Sequence, residues 1–109
     1  MDIDSIRTLV DAGEWYESGH AQERMVERGI DIDQVLDAIR HGRIVEELPP
    51  TGRDPKCLVC GEVERRLAFL QVVHPLYVVC AVGEVVTIVT VDWNPPRELG
   101  QKPRGRGRR

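Results

Sequence analysis

"PLYVVCAVGEVVTIVTVDW", residues 75–93, decides the fold class of this 109-residue chain. Two runs rich in β-branched residues, Val78–Val82 and Val85–Val91, flank the short link Gly83-Glu84. β-branched residues favour strands, and so short a link between two strands is typical of a hairpin. Because both runs are dense in apolar residues, we predict that they form central strands of a sheet.

Further strands are predicted before this hairpin. The stretches "KCLVCGEV" (56–63) and "RRLAFLQVV" (65–73) have the same composition, and Glu64 and His74-Pro75 separate the predicted strands. Links this short join antiparallel neighbours. The second half of the chain therefore predicts four or five short strands in a mainly antiparallel sheet.

The first third of the chain has helical periodicity instead. A first helix can be capped by Asp2 or Asp4 and ended by Gly13, and the link "EWYESG" (14–19) follows it. A second helix, "HAQERMVERGI" (20–30), can end at Gly29 in a left-handed cap. The apolar residues that recur at helical spacing in the first helix are Ile3, Ile6, Leu9 and Val10.

A third helix is predicted over "DIDQVLDAIRHG" (31–42). Asp31 and Gln34 have the spacing of a capping box, and Gly42 can close the helix. Helices that precede strands predict an α+β fold, in which N-terminal helices pack on one face of the sheet. The length of the chain predicts a single domain, which we place at residues 1–97.

Charge is distributed unevenly along the chain, and the net charge of −3 conceals this. Residues 97–109 hold six Lys or Arg against one acid, whereas the preceding 96 residues hold nine basic and 17 acidic side chains. The segment 98–109 has no apolar residue after Leu99, so we predict a disordered basic tail. It contacts an RNA backbone, or aids solubility, or folds back on the acidic body. Its candidate RNA-binding residues are Arg104, Arg106, Arg108 and Arg109.

Several classes of protein are disfavoured by the composition. The uncharged run Leu76–Val82 is too short to cross a bilayer, and the N-terminus is acidic where a signal peptide would be basic, so we expect a cytoplasmic protein without membrane contact. Cys57 and Cys60 have the spacing of half a zinc ribbon, but a second pair is missing. Strand alternation would also direct them to opposite faces. We therefore expect neither a metal nor a cofactor.

The second helix carries the most informative polar residues. His20, Arg24 and Arg28 are four residues apart, so their side chains leave one face of the helix. Metal-free RNA cleavage needs a base for a 2′-hydroxyl and cations that steady the phosphate, and these three residues can supply both. The alternative is structural: His20 packs against the sheet, and the two arginines pair with carboxylates.

The segment "SGHAQERMVERGIDIDQVLDAIRHGRIVEELP" (18–49) closely resembles the opening of DUF4258, a bacterial family of domains of unknown function. The shared pattern is a histidine, then Arg-Met and a second arginine before Gly-Ile, then an amphipathic helix that ends in glycine, and an extended acidic segment. The later strand-like stretches resemble the family's strands in order and spacing. The resemblance covers roughly residues 18 to 96.

This resemblance implies a small fold akin to the RelE/ParE-like toxins and membership of a toxin–antitoxin pair. It implies metal-independent cleavage of messenger RNA, and a cognate antitoxin protein of the zinc-finger type that is paired with the MqsR toxin. The family's recurrent polar positions correspond to His20, Arg24, Arg28 and Thr90. Lys56 is a further candidate RNA contact.

Two departures from the family pattern affect the mechanism. At the tyrosine of the family's closing motif this chain has Trp93, and an indole cannot exchange a proton as a phenol can. The stretch "ERRLAFLQVVH" (64–74) resembles an insertion, in which Arg65 and Arg66 either contact phosphate or form a hairpin turn.

Three hypotheses follow from these observations. In the first, the protein is a toxin ribonuclease that uses His20 as general base or acid and is covered by its antitoxin. In the second, it is a noncatalytic interaction module whose open sheet edge takes a strand from a partner. In the third, it is an RNA- or ribosome-associated protein that binds through its basic tail.

Overall fold

The computed structural model describes residues 1–50 and 52–96. They form three helices and five strands, in an order that mixes the two types. The elements are α1 (Ile3–Asp11), β1 (Trp15–Glu17), α2 (Gly19–Arg28), α3 (Ile32–His41), β2 (Arg43–Leu48), β3 (Lys56–Leu67), β4 (Leu70–Val82) and β5 (Val86–Asp92). The α+β class predicted from the sequence is confirmed.

The five strands form one mixed sheet in the order β1-β5-β4-β3-β2. Three of the pairings are antiparallel, as predicted, but β1 pairs with β5 in parallel, through Trp15 opposite Val86. The prediction that three helices precede any strand is therefore wrong, because the segment 14–19 contains β1. The prediction failed because a three-residue strand is too short to show alternation.

The region predicted as several short strands is one long hairpin. β3 and β4 pair continuously from Lys56–Ala81 to Leu67–Leu70, and Ala68, at a φ of 55°, lies in the turn. The predicted breaks at Glu64 and His74-Pro75 are wrong. Pro75 fits within β4 because β5 pairs with β4 only as far as Tyr77, so the proline needs no hydrogen-bonded neighbour on that side.

The predicted helix starts and ends are confirmed for α2 and α3. Gly29 adopts a left-handed conformation at the end of α2, with a φ of 66°. The Asp31 side chain accepts from the Gln34 backbone N–H, and the Gln34 side chain accepts from the Asp31 N–H, which completes the capping box. α1 begins after Asp2, whose carboxylate accepts from the Ser5 backbone N–H.

The two faces of the sheet differ in what covers them. All three helices contribute to one apolar core, in which Ile6, Val35 and Ile39 pack against the side chains of β3, β4 and β5 that point to the same face. We call the other side the helix-free face, because within the described residues no helix residue joins its apolar cluster. That cluster consists of Leu48, Leu58 and Val79, with Tyr77 and Val89 packed against them.

The described residues therefore have one principal core, and the domain boundary predicted at residue 97 lies outside them. The predicted disordered tail, residues 98–109, lies outside the described residues, as do its four candidate arginines.

Close contact between α3 and β3 depends on Gly61. A Cβ atom at this position would lie 2.7 Å from the Ala38 Cα and still nearer the Ala38 carbonyl oxygen, both in the backbone of α3. Gly61→Ala should therefore lower the free energy of unfolding by about 3 kcal/mol or more, measured by urea denaturation. Gly19→Ala is the control, since nothing lies within 4 Å of its Cβ position, and it should raise stability by up to about 1 kcal/mol. Equal stability of the two variants would contradict this account of the packing.

Candidate functional site

Helix α2 is fixed at its start to β5, which lies between β1 and β4 in the sheet. The Ser18 hydroxyl accepts a hydrogen bond from the Ala21 N–H at 3.0 Å and donates one to the Val89 carbonyl at 2.9 Å. The Ser18 N–H also donates to the Ile88 carbonyl at 2.9 Å. One residue thus caps the helix and attaches it to the edge of β5 beyond the end of β1.

The end of α2 is fixed by Trp93. Its indole N–H donates to the Arg28 carbonyl at 2.8 Å, while the ring is buried in the core. The Arg65 guanidinium lies 4.1 Å from the ring centroid, and His74 meets the ring edge-on. Trp93 therefore has a structural role and points to the opposite face of the sheet from Asp92.

This attachment sets the rotation of α2 about its own axis. Ala21 and Met25 pack in the core, so the neighbouring stripe of His20, Arg24 and Arg28 lies along the rim of the helix-free face. These three residues line a cleft of about 320 Å³. Its other lining residues are Thr90, Asp92, Pro95 and Pro96. The four residues predicted as catalytic are therefore brought together, although Thr90 is far from the others in the sequence.

Asp92 links the two arginines. Its Oδ2 atom accepts from the Arg24 Nη1 at 3.1 Å and from the Arg28 Nε at 3.3 Å. Glu27 lies 3.5 Å from the Arg24 Nε and 4.0 Å from the Arg28 Nη1. The structural alternative for the arginines, pairing with carboxylates, is thus what this structure contains.

The charge of Asp92 is stabilised by these contacts. Partial burial alone would raise the pKa of Asp92, but the Asn94 backbone N–H and the Arg28 guanidinium outweigh it and hold the pKa below its usual value. The carboxylate is therefore ionised at neutral pH, and its charge offsets part of the positive charge of the cleft.

His20 has a different environment from the arginines. Its side chain is exposed near the start of α2, and within residues 1–50 and 52–96 its ring makes no hydrogen bond or ion pair. Thr90 is half-buried on the neighbouring strand. The imidazole therefore reaches solvent and is accessible to a bound molecule. The alternative in which His20 packs against the sheet does not describe this structure.

Among the described residues, the other candidate RNA contacts do not line this cleft. Lys56 is at the start of β3, level with Thr87, some distance along the sheet from Asp92. Arg65 stacks on Trp93 on the helix side. Arg66 lines a separate cleft with acidic residues of α3 and β3, including Asp31, Asp33 and Glu64. Arg65 therefore lies on the opposite side of the sheet from the cleft, and Lys56 and Arg66 lie on other parts of the sheet.

Sequence reasoning missed Asp92 and Tyr77. Asp92 is two residues after Thr90, so strand alternation places both on the helix-free face, and this signal was available from the sequence. Tyr77 is the direct neighbour of Asp92 across β4 and β5. Partial burial and the neighbouring Cys60 thiol raise the pKa of Tyr77, so its phenol stays protonated. No sequence signal specifies this pairing, which depends on strand register.

The cysteines follow the predicted alternation. Cys57 is buried in the core and Cys60 is half-buried on the helix-free face, so the two do not form a metal knuckle. Burial is the main cause that raises the pKa of the Cys57 thiol to about 11. It also raises the pKa of Cys80, the partner of Cys57 in the hairpin.

Comparison with protein families gives a match over most of the chain. The family model described as a domain of unknown function, DUF4258, matches residues 18–93, more than two thirds of the chain. The matched region begins at Ser18, the cap of α2, and ends at Trp93, so α1 and β1 lie outside it. No curated protein and no solved structure matches this chain. In the described part of the chain, no helix is long and apolar enough to span a bilayer.

Replacing Asp92 tests the electrostatics of the cleft. Because the folded-state pKa of Asp92 is lowered, its contribution to stability is present at neutral pH and is lost as the pH falls through that pKa. Asp92→Asn should lower the free energy of unfolding by about 1 kcal/mol at pH 7, and the difference from wild type should shrink below about pH 4. Urea denaturation followed by tryptophan fluorescence measures both values.

The matched control is Asp11→Asn, which removes the exposed partner of Arg40. It should change stability by less than about 0.5 kcal/mol. A loss for Asp92→Asn that is independent of pH would contradict the electrostatic account.

Proposed function

The chain belongs to the DUF4258 family, and we propose that it is the toxin of a type II toxin–antitoxin pair, a metal-independent endoribonuclease that cuts messenger RNA. The relation to the RelE/ParE-like toxins that the family resemblance implies supports this proposal, together with the α+β architecture. Because one fold can support many activities, the proposal rests on the residues of the cleft.

The observation that carries the proposal is the composition of the cleft. It combines one solvent-accessible imidazole, two guanidinium groups and one hydroxyl, from His20, Arg24, Arg28 and Thr90. Two separate elements, α2 and β5, supply them, and hydrogen bonds from Ser18 and Trp93 hold those elements together. A proton acceptor beside preorganised cations is what phosphodiester cleavage through a 2′-hydroxyl requires.

In the proposed reaction, the His20 imidazole takes the proton of the ribose 2′-hydroxyl. The 2′-oxygen then forms a bond to phosphorus, and the bond from phosphorus to the 5′-oxygen breaks. The leaving 5′-oxygen takes a proton from water, which yields a 2′,3′-cyclic phosphate and a 5′-hydroxyl. Thr90 donates a hydrogen bond to a phosphate oxygen.

Arg24 and Arg28 stabilise the negative charge that develops on the phosphate. Each guanidinium has more N–H donors than its contacts with Asp92 and Glu27 use, so donors remain for a phosphate. Asp92 holds both groups in position before the substrate binds, which lowers the cost of ordering them in the transition state. Asp92 also competes with the phosphate for these donors, and so weakens binding of the ground state.

We place the protein in the cytoplasm, where messenger RNA is the substrate and an antitoxin protein covers the cleft. By family resemblance the antitoxin is of the zinc-finger type. The net charge of residues 1–96 is strongly negative, which opposes RNA binding. The basic residues of segment 98–109 supply the attraction, and this contribution weakens with salt.

A second candidate function, protein interaction without catalysis, is favoured by the β3–β4 hairpin. Around its turn, Phe69 is 97% exposed, and Leu70 and Val73 are each 65% exposed. Adjacent exposed apolar side chains at a projecting turn are typical of a surface that binds another protein.

Replacing His20 tests the ribonuclease proposal. His20→Ala should reduce cleavage of single-stranded RNA by roughly 100- to 10,000-fold in EDTA-containing buffer, because the general base is lost. The control is Glu23→Ala, an exposed position on the same helix outside the cleft, which should cleave like wild type. Circular dichroism of both variants checks folding. Inactive wild type, or full activity in His20→Ala, would overturn the assignment.

Replacing the hairpin turn tests the interaction candidate. If partner binding depends on this surface, Phe69→Ser with Leu70→Ser should weaken the complex with the protein encoded by the neighbouring gene at least about tenfold. Val26→Ser is the control, because Val26 is 84% exposed on α2. Affinities measured by calorimetry in high salt compare the variants. A complex that both variants form equally well would exclude the hairpin as the main interface.

A further inference from the structure

One register level of the sheet places four polar side chains in a row. On the helix-free face, Arg43 of β2 pairs with Cys60 of β3, Cys60 with Tyr77 of β4, and Tyr77 with Asp92 of β5. Strands lie about 4.8 Å apart, so this row extends about 14 Å from Asp92 to the far edge of the sheet. The cleft at Asp92 therefore continues into a line of polar groups.

A second and larger cavity lies at the far end of the row. It has a volume of about 710 Å³, and Arg43, Cys60 and Tyr77 line it, together with His41, Gly42, Gly61, Glu62 and Pro75. A cavity of this size accepts a nucleoside. Tyr77 thus lies between the two cavities, since it lines the larger one and is adjacent to Asp92 in the cleft.

The chemistry of the larger cavity suits a nucleotide in one orientation. The half-buried Tyr77 ring offers a surface on which a base can stack. Glu62 repels phosphate but accepts hydrogen bonds from the amino groups of bases, so it favours a base inside the cavity. Arg43, at the exposed edge, can pair with the phosphate outside it.

Charge along this path is less acidic than charge in the neighbouring cleft along α3. The cleft and the row contribute Arg24, Arg28 and Arg43, against Asp92 and Glu62, and Glu27 pairs with the two arginines of α2. By contrast, the neighbouring cleft along α3 gathers Asp31, Asp33, Asp37 and Glu64 around Arg66. Phosphates are repelled there, so the path ends at Arg43.

We infer that single-stranded RNA lies across the helix-free face, with the reacting phosphate beside His20 and a flanking base stacked on Tyr77. This inference rests on the proposed function and adds a base-binding subsite to it. The flanking nucleotide occupies the larger cavity, and its phosphate contacts Arg43. Tyr77 and Arg43 position the substrate and take no part in the proton transfer.

Binding of an oligonucleotide that cannot be cleaved separates this inference from catalysis. The probe is a fluorescein-labelled 2′-O-methyl RNA of about ten nucleotides, within the site sizes of single-strand binders, followed by anisotropy. Tyr77→Leu should weaken binding roughly 5- to 100-fold, since stacking is lost, whereas Tyr77→Phe should bind like wild type. Arg43→Gln should weaken binding and reduce the slope of log affinity against log salt by about one.

Two control variants match these substitutions. Tyr16→Leu removes a ring that is 54% exposed on the same face, on β1 beyond the cleft, and it should bind like wild type. Arg40→Gln removes an arginine of α3 that pairs with Asp11, and it should retain the salt slope. Urea denaturation of each variant confirms that it is folded.

The possible outcomes distinguish the two proposals. If His20-dependent cleavage is present but Tyr77→Leu and Arg43→Gln bind the probe like wild type, the subsite is wrong and the proposed function stands. If the probe binds through Tyr77 and Arg43 but RNA is not cut, the ribonuclease proposal is wrong and the binding path stands. Equal losses in Tyr16→Leu and Tyr77→Leu would also overturn the subsite, and a wild type that neither binds nor cuts would overturn both.

Discussion

Attachment of α2 to the edge of β5 is the constraint on which the rest of the site depends. At one end of the helix, Ser18 caps it and donates to the β5 backbone; at the other, Trp93 donates to the last turn. Two fixed ends leave the helix no freedom to rotate, so the stripe next to its buried face must overhang the helix-free face. The proposed active site depends on this fixed orientation of α2, because on a freely rotating helix the same side chains would have no fixed position relative to Thr90 or Asp92.

The two faces of the sheet differ in composition, since one holds the apolar core and the other holds the polar residues of the candidate site. Its helix side holds the core, including the Cys57 and Cys80 thiols and the Trp93 ring, in surroundings that exclude water. Its helix-free face holds a smaller apolar cluster and the polar row from Arg43 to Asp92. Core residues cannot be polar without losing stability, whereas the face without helices can carry charge at little cost. This division explains why polar side chains from four strands and one helix converge on the same side.

Arginine–aspartate pairing gives the cleft two opposed properties. Asp92 orders the guanidinium groups of Arg24 and Arg28, which favours a transition state that needs them in place. The same carboxylate reduces the positive charge that attracts a phosphate. In the RNA complex that we propose, an acidic chain needs other sources of affinity, and stacking on Tyr77 and cations at the edge of the sheet are sources that do not depend on the cleft. In this proposal, the residues that bind the RNA differ from the residues that cleave it.

Local pattern in the sequence determined the helices, their caps at Asp31 and Gly29, the fold class, and the stripe of His20, Arg24 and Arg28, because these depend on neighbours within one or two turns. Tertiary structure alone decided the parallel pairing of β1, the continuity of the hairpin across Pro75, and the meeting of the stripe with Asp92. A three-residue strand carries no periodic signal, and the proline is accommodated only because β5 ends beside Tyr77. Register between distant strands sets which side chains become neighbours, and no short stretch of sequence contains that information.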